Sequence, residues 1–567
     1  MKMVSARKNN PLLKCGDYKT TKEVVLRVAK VLPEKKLFAH LDKNLNIIYH
    51  TASDLLNDMT SLGNGLIAMG LEDKHIAVSM DNSYEYFLSD LTISSGVGVV
   101  TPVSKDADDE TFVTLLNKCD ANAIICNKFI VLKIGKLTEK LPKIEKVICI
   151  DDGFGNFSFK EVMQKGSLVK NNYYLEKELD LDKVCKILFT SGTTGANKGV
   201  MLTQRNLAAN ITNCLDNING PKNLVLDTSM SVLPMHHATE INTHLMARVA
   251  AGRLTYISSS MRNIMRDIKI FKPSIITVVP MIANAFYNQI WLNAKKQGKD
   301  EKLKKGIKLS NILKKFGIDI THKLFKELYE PFGGNLIEIV CGGAILNPEV
   351  VKGLSDLGIH IVNGYGITEC GPLVSLNADT IKAYASIGNV CSSFEYKIDN
   401  SNEEGIGELS VKGPSVFKGY YKNDEDTAKV FDQDGFFHTG DLVKEDKKKR
   451  LYITGRCKNV IILENGKNIC PEEIEHVVEI SQNFLKDIVC YQHNDNGKEI
   501  IVLGIWTDNE YNIEDLKILF KEINKNLPMH KKINYVNISS TEYEKTETRK
   551  IKRTNLEKYH NTKGFYL

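Results

Sequence analysis

Short runs of β-branched and other apolar residues recur along the chain at 76–80, 97–102, 123–126, 147–150, 254–257, 275–279, 337–341 and 359–362. Stretches of helical periodicity and glycine turns separate them. Runs this short and this uniformly apolar suit strands covered on both faces, so the pattern predicts an α/β fold of layered parallel or mixed sheets. Ligands in such folds sit at strand ends. From 386 to 452 the texture changes to short strands with frequent Gly and Asp, which predicts a small, more antiparallel, β-rich subdomain. After Gly455-Arg-Cys-Lys-Asn comes a self-contained unit of about 110 residues. Its first helix is expected to open at Pro471-Glu-Glu, where proline and acidic residues are favoured. A boundary at 456–459 divides the chain into a large N-terminal domain, 1–456, and a small α+β C-terminal domain, 457–567.

Composition narrows the possibilities. Over 567 residues a formal net charge of +6 predicts no polyanion partner, so nucleic acid is not expected. Twelve cysteines lie scattered with no CxxC pair and no Cys/His pairing at zinc spacing, which fits reduced, buried thiols and a cytoplasmic location. Residues 1–10 are basic but lead into Pro11-Leu-Leu-Lys-Cys-Gly rather than an apolar core, so no secretory signal is expected. The longest uncharged run, 273–294, contains Pro280, Asn284, Asn288, Gln289 and Asn293, which are costly in hydrocarbon. It reads instead as a buried strand, a proline turn and a helix. Between Lys295 and Lys315 nine lysines face only Asp300 and Glu301. One reading is a solvated amphipathic helix pair with Leu303, Ile307, Ile312 and Leu313 facing in; the other is peripheral docking to anionic lipid or to an acidic partner.

The richest stretch for chemistry is 187–203. A strand ends at Phe189, and Thr190, Ser191, Thr193 and Thr194 then interleave with Gly192, Gly195 and Gly199 around Lys198. Glycines let backbone N–H groups converge on an anion, hydroxyls add donors, and the lysine brings a compact charge, which together describe a polyphosphate cradle. The Gly195-to-Lys198 spacing differs from that of the P-loop NTPases. An ordinary surface turn needs one or two glycines and no such set of hydroxyls.

This segment resembles the signature loop of the adenylate-forming superfamily, which holds acyl-CoA synthetases, firefly luciferase and the adenylation domains of peptide synthetases. Six further motifs follow in the family's order: Leu233-Pro-Met-His-His-Ala, Gly342-Gly-Ala, Asn363-Gly-Tyr-Gly-Ile-Thr-Glu, His438-Thr-Gly-Asp, Gly455-Arg-Cys-Lys-Asn and Lys545-Thr-Glu-Thr-Arg-Lys-Ile-Lys-Arg. The resemblance implies an acyl-CoA synthetase-like fold whose C-terminal domain is mobile about a hinge at Lys458. It assigns Thr190, Ser191, Gly192, Thr193, Thr194 and Lys198 to the β- and γ-phosphates of ATP. Gly343, Ala344, Asn363 and Tyr365 would frame adenine, Thr368 would meet the α-phosphate, and Glu369 would hold Mg²⁺. Asp441 and Arg456 would reach the ribose and the nucleotide. His237 would lie near the substrate carboxylate, and Lys550 would be the catalytic lysine of the small domain. Arg549 stands where the family usually has glycine.

A carboxylate is a poor electrophile, so its activation requires attack on the α-phosphorus of ATP with loss of pyrophosphate. The implied enzyme is thus an AMP-forming acid–thiol ligase that positions two anions and neutralises their charge. Its motifs look most like those of bacterial long- or medium-chain fatty acyl-CoA ligases, with CoA as the acceptor. A free-standing enzyme loading an acyl carrier protein is the alternative. A non-catalytic binder would be expected to have lost some of Lys198, Glu369, Asp441, Arg456 and Lys550, all of which are present.

Overall fold

A computed structural model describes residues 3–5, 18–190, 197–217, 219–221, 227–378, 380, 383–462, 468–482, 484–495, 498–545, 551–560 and 563–567. They form two compact units, one built from described residues within 1–190, 197–395 and 412–437, the other from those within 396–411 and 438–567.

The first unit holds two large sheets. In the eight-stranded sheet the order is Gly419–Tyr420, Lys198–Thr203, Val184–Thr190, Val99–Pro102, His75–Ser79, Ala123–Cys126, Lys146–Cys149 and Phe157–Ser158. Alternate residues of its central strands enter opposite cores: Ile76, Val78 and Ile125 one, Ala77 and Ile124 the other. That double burial is why the sequence reads as unbroken apolar runs. The nine-stranded sheet runs in the order Asn389–Val390, Leu373–Asn377, His360–Gly366, Glu338–Cys341, Ile275–Val278, Thr228–Ser231, Leu254–Ile257, Lys36–Leu41 and Ile47–Thr51. The six strands from 360–366 to 36–41 are parallel, so their carboxyl ends share one edge. Every strand expected from the apolar runs is present, two of them with the expected ends and six displaced by one to four residues at an end.

The uncharged run 273–294 is a strand, Ile275–Val278, followed by a helix, Pro280–Lys296, that opens on its proline. No described helix is long and apolar enough to cross a membrane. The lysine-rich stretch includes the helix Asp300–Lys315, with Leu303 buried and Ile307 packed against the core. Ile312, expected to face in, is 53% exposed. Asn311 and Lys314 take the inward positions around it, bonding to Asp356 Oδ1 at 3.0 Å and to the Ser355 carbonyl at 3.3 Å.

The second unit carries a four-stranded sheet in the order Glu395–Asp399, Ile406–Lys412, Phe437–Glu445 and Leu451–Arg456. A second four-stranded sheet, Asp487–Asp495, Lys498–Trp506, Tyr535–Ile538 and Phe565–Tyr566, accompanies the helices Pro471–Ser481 and Ile513–Asn526. Ile474, Val478, Leu503, Phe520 and Val536 form their common core. Pro471 opens its helix as the sequence predicts.

One buried ion pair fixes the strand that leads into the glycine- and threonine-rich loop. Lys186 Nζ lies 2.5 Å from Asp90 Oδ1 in helix Tyr84–Thr92 and donates to Asn242 Oδ1 at 2.8 Å. Burial pushes the Asp90 carboxyl above its ordinary range, and the Lys186 charge pulls it back. Lys186→Met strands a buried carboxylate and is expected to cost about 3–5 kcal/mol in urea unfolding. Lys186→Met/Asp90→Leu, which removes both charges, is expected to recover most of that loss; equal loss in both variants would assign the cost to packing.

Candidate active site

In the first unit the site is built on a hairpin and on the carboxyl edge of the parallel strands. Strand Val184–Thr190 pairs antiparallel with Lys198–Thr203, and the register sets Lys198 opposite Thr190. The loop between them holds Ser191, Gly192, Thr193 and Thr194, which lie outside the described residues. Lys198 Nζ lies 2.9 Å from Asp426 Oδ2 and 4.9 Å from the centre of the Tyr420 ring. Held by Lys198, the Asp426 carboxyl sits below the usual carboxylate range. Tyr420 follows on the next strand of the sheet, where Val200 pairs with it, and its hydroxyl donates to Glu369 Oε1 at 3.0 Å. Burial and the neighbouring Glu369 charge raise the Tyr420 phenol, which therefore stays protonated and a donor at neutral pH. Lysine, phenol and carboxylate form one row.

Glu369 and Thr368 sit in a short 3₁₀ turn, Thr368–Cys370, directly after strand His360–Gly366. The Phe417 N–H bonds to the Glu369 carbonyl at 2.7 Å and secures the turn. Tyr365 is buried in that strand. Asn363 is buried too, and its amide donates to the Ser386 carbonyl at 3.0 Å, a carbonyl that the Asn377 amide also meets at 3.0 Å. On the neighbouring strand Cys341 leads to Gly342, Gly343 and Ala344, with Gly343 at φ +88°, a conformation that favours glycine. Gly343 and Ala344 are exposed.

The turn after strand Thr228–Ser231 brings His236 and His237 to the same edge, their ring centres 4.2 Å apart. Burial lowers the pKa of both, and at His236 the charges of His237 and Lys105 add to the effect. Both imidazoles are therefore neutral at pH 7. The side chain of Asn82 holds the turn, donating to the Leu233 carbonyl at 2.7 Å and accepting from the Met235 N–H at 3.0 Å.

The second unit holds Asp441 and Arg456, opposite each other on antiparallel strands. Arg456 Nε lies 2.8 Å from Asp441 Oδ1, so the two residues expected at a nucleotide hold one another. The Asp441 N–H bonds to Thr439 Oγ1 at 3.1 Å, and Gly440 N–H to Glu408 Oε1 at 2.9 Å. Lys458 is exposed in the 3₁₀ turn Cys457–Asn459, whose Asn459 donates to Glu472 Oε1 at 2.5 Å. Lys550 lies outside the described residues. Its flanks are tied: Lys545 and Ile551 form a bridge, and Arg553 grips Glu475 through Nη2 at 2.8 and 2.6 Å.

The sequence motifs did not point to Tyr420, Asp426 or Asn82. Each acts through a partner distant in sequence, Tyr420 across 51 residues and Asn82 across 151, and no local spacing marks them.

Mg²⁺ takes oxygen ligands, keeps several waters and is held by one or two carboxylates together with substrate phosphates. Glu369, oriented by Tyr420 beside the Thr368 hydroxyl, suits that role.

The chain is 29% identical over 483 residues to human long-chain-fatty-acid–CoA ligase 6, a match spanning 79% of the chain and 68% of that protein. It is 26% identical over 544 residues to ligase 5 of Rattus norvegicus, covering 89% and 78%. Against human ligase 1, at 26% identity, the chain spans 64% of the relative's length. Among solved structures, the anthranilate CoA ligase AuaEII in complex with anthranoyl-AMP matches with a TM-score of 0.77 at 16% identity, covering 96% of this chain and 98% of that one. The o-succinylbenzoate CoA synthetase of Bacillus subtilis, in complex with the acyl-adenylate OSB-AMP, matches at 0.73 and 17%, covering 94% and 97%. These likenesses show the fold. The profile of AMP-binding enzymes matches residues 28–421, and the chain belongs to that family.

Proposed function

We propose that the protein is an AMP-forming acid–thiol ligase that activates a medium- or long-chain fatty acid with ATP and passes the acyl group to CoA. In the first half-reaction a carboxylate oxygen attacks the α-phosphorus, the O–P bond forms, and pyrophosphate leaves. In the second, the CoA thiol loses its proton, its sulfur attacks the acyl carbonyl, and AMP leaves. The observation that carries this reading is the row Lys198–Tyr420–Glu369: a cation suited to phosphate and a carboxylate suited to Mg²⁺, both oriented by one buried phenol. The fatty-acid–CoA ligase names of the relatives support the substrate class. The burial of ten of the eleven described cysteines supports a reducing, cytosolic setting.

The residues divide the work. The hydroxyls and glycines of 190–194 with Lys198 hold the β- and γ-phosphates, and Asp426 keeps Lys198 extended until they arrive. Thr368 meets the α-phosphate; Gly343, Ala344, Asn363 and Tyr365 shape the adenine side. Bound Mg²⁺ neutralises phosphate charge. Neutral His237 is a hydrogen-bond donor for the acid's carboxylate that adds no positive charge of its own. Asp441 and Arg456 take the ribose and nucleotide, and rotation about Lys458 removes Lys550 after adenylation.

Acceptor assays test the whole reading. Thioester is expected with CoA, whereas thioester on acyl carrier protein alone would replace CoA as the acceptor. Lys550→Ala is expected to suppress acyl-AMP formation and largely spare thioester formation from supplied acyl-AMP; equal loss in both halves would refute its assignment. Tyr420→Phe is expected to raise the Mg²⁺ concentration for half-maximal pyrophosphate release about tenfold, as loss of a partner to a metal ligand commonly does. The KM for the acid should stay unchanged, and a change in that KM alone would place Tyr420 elsewhere.

A further inference from the structure

Helix Asp300–Lys315 has two apolar faces, and only one is used. Leu303 and Ser310 are buried on the inner face, and Asn311 and Lys314 bond there to Asp356 and Ser355. With about 3.6 residues per turn, Lys302, Lys305, Leu309, Ile312 and Phe316 fall along one stripe of the opposite face. Leu309 is 51%, Ile312 53% and Phe316 76% exposed, and Ile318 just beyond is 52% exposed. The end of the helix is not a loose tail. Gly317, at φ +79°, donates to the Lys314 carbonyl at 3.0 Å, and Ile318 donates to the Leu313 carbonyl at 3.1 Å. This Schellman closure sets Phe316 and Ile318 in fixed positions beside the stripe. Lys302, Lys305, Lys308 and Lys315 are exposed and form no ion pair among the described residues.

We infer that this face is a docking surface for an anionic lipid bilayer. Large apolar side chains at the crest of a helix, flanked by unpaired lysines, are what an interfacial helix requires. The apolar crest enters the acyl boundary while the lysine stems lie along it and their ammonium groups meet anionic headgroups. An acidic partner held by charge alone would leave Leu309, Ile312 and Phe316 in water, whereas a bilayer covers these apolar side chains and neutralises the lysines together. The inference stands apart from the chemistry proposed above and needs no turnover for its test.

The full chain is sedimented with phosphatidylcholine vesicles with and without phosphatidylglycerol. Binding is expected only with phosphatidylglycerol and should weaken as salt rises. The variant Leu309→Ser/Ile312→Ser/Phe316→Ser is expected to lose binding by about tenfold or more, as is Lys302→Glu/Lys305→Glu/Lys308→Glu/Lys315→Glu. Because these side chains are exposed, both variants should keep the thermal midpoint of the parent. Three results would overturn the inference: equal binding by parent and variants; no vesicle binding but binding to an acidic acyl carrier protein; or a dimer in light scattering that dissolves in the triple serine variant without lipid.

Discussion

The buried pair Lys186–Asp90 is the constraint on which the first unit's chemistry depends. Strand Val184–Thr190 ends where the glycine- and threonine-rich loop begins, and Lys186 points inward from it to a carboxylate on helix Tyr84–Thr92 and an amide at Asn242. A slip of one residue would turn every side chain of the strand to the other face and leave both charges buried and unpaired. The pair therefore locks the hairpin register, and that register is what sets Lys198 opposite Thr190. Through Asn242 the same pair reaches the segment following the two histidines, so the hairpin before the glycine- and threonine-rich loop and the histidine turn share one anchor.

From that anchor outward, charge within each unit is held by opposite charge before any ligand arrives. Lys198 rests on Asp426, and Arg456 on Asp441. A lysine or arginine in solvent samples many rotamers, and fixing one costs up to about 2 kcal/mol. Here a carboxylate restricts each cation in advance; on the proposed function an incoming phosphate would exchange with an existing partner rather than order a mobile side chain. Such an exchange would lower the ordering cost of binding and raise the competition a weak anion must overcome, which would favour polyvalent phosphate over single anions.

Much of this was legible in the sequence. Strands buried on both faces cannot be disguised, because each position must be apolar, and so runs such as 123–126 and 254–257 match the observed strands residue for residue. The glycine and hydroxyl motif stands out equally in the sequence, but its residues from 191 to 195 lie outside the described residues, and only the flanking hairpin with Lys198 opposite Thr190 is seen. Tyr420, Asp426 and Asn82 were not legible: an aromatic, an acid and an amide are common surface residues, and their roles arise only when distant strands meet. Ile312 misled for a related reason. Periodicity shows that a helix has apolar positions, but which stripe is covered is decided by what packs against it.

Net charge is the least informative quantity of all, because a total of +6 is silent about where lysines sit. Lys186 is buried and spends its charge on fold register; Lys198 is half-buried and spends it on the Asp426 carboxylate. Lys302, Lys305, Lys308 and Lys315 stand in solvent without ion-pair partners among the described residues, around apolar side chains that the fold leaves uncovered. The physical distinction is desolvation. Where water has already been removed, a lysine must be paired in the native state, and its partner reveals a structural or catalytic duty. Where water remains, several like charges persist together against their mutual repulsion, and the apolar crest beside them calls for a surface that covers the one while neutralising the other.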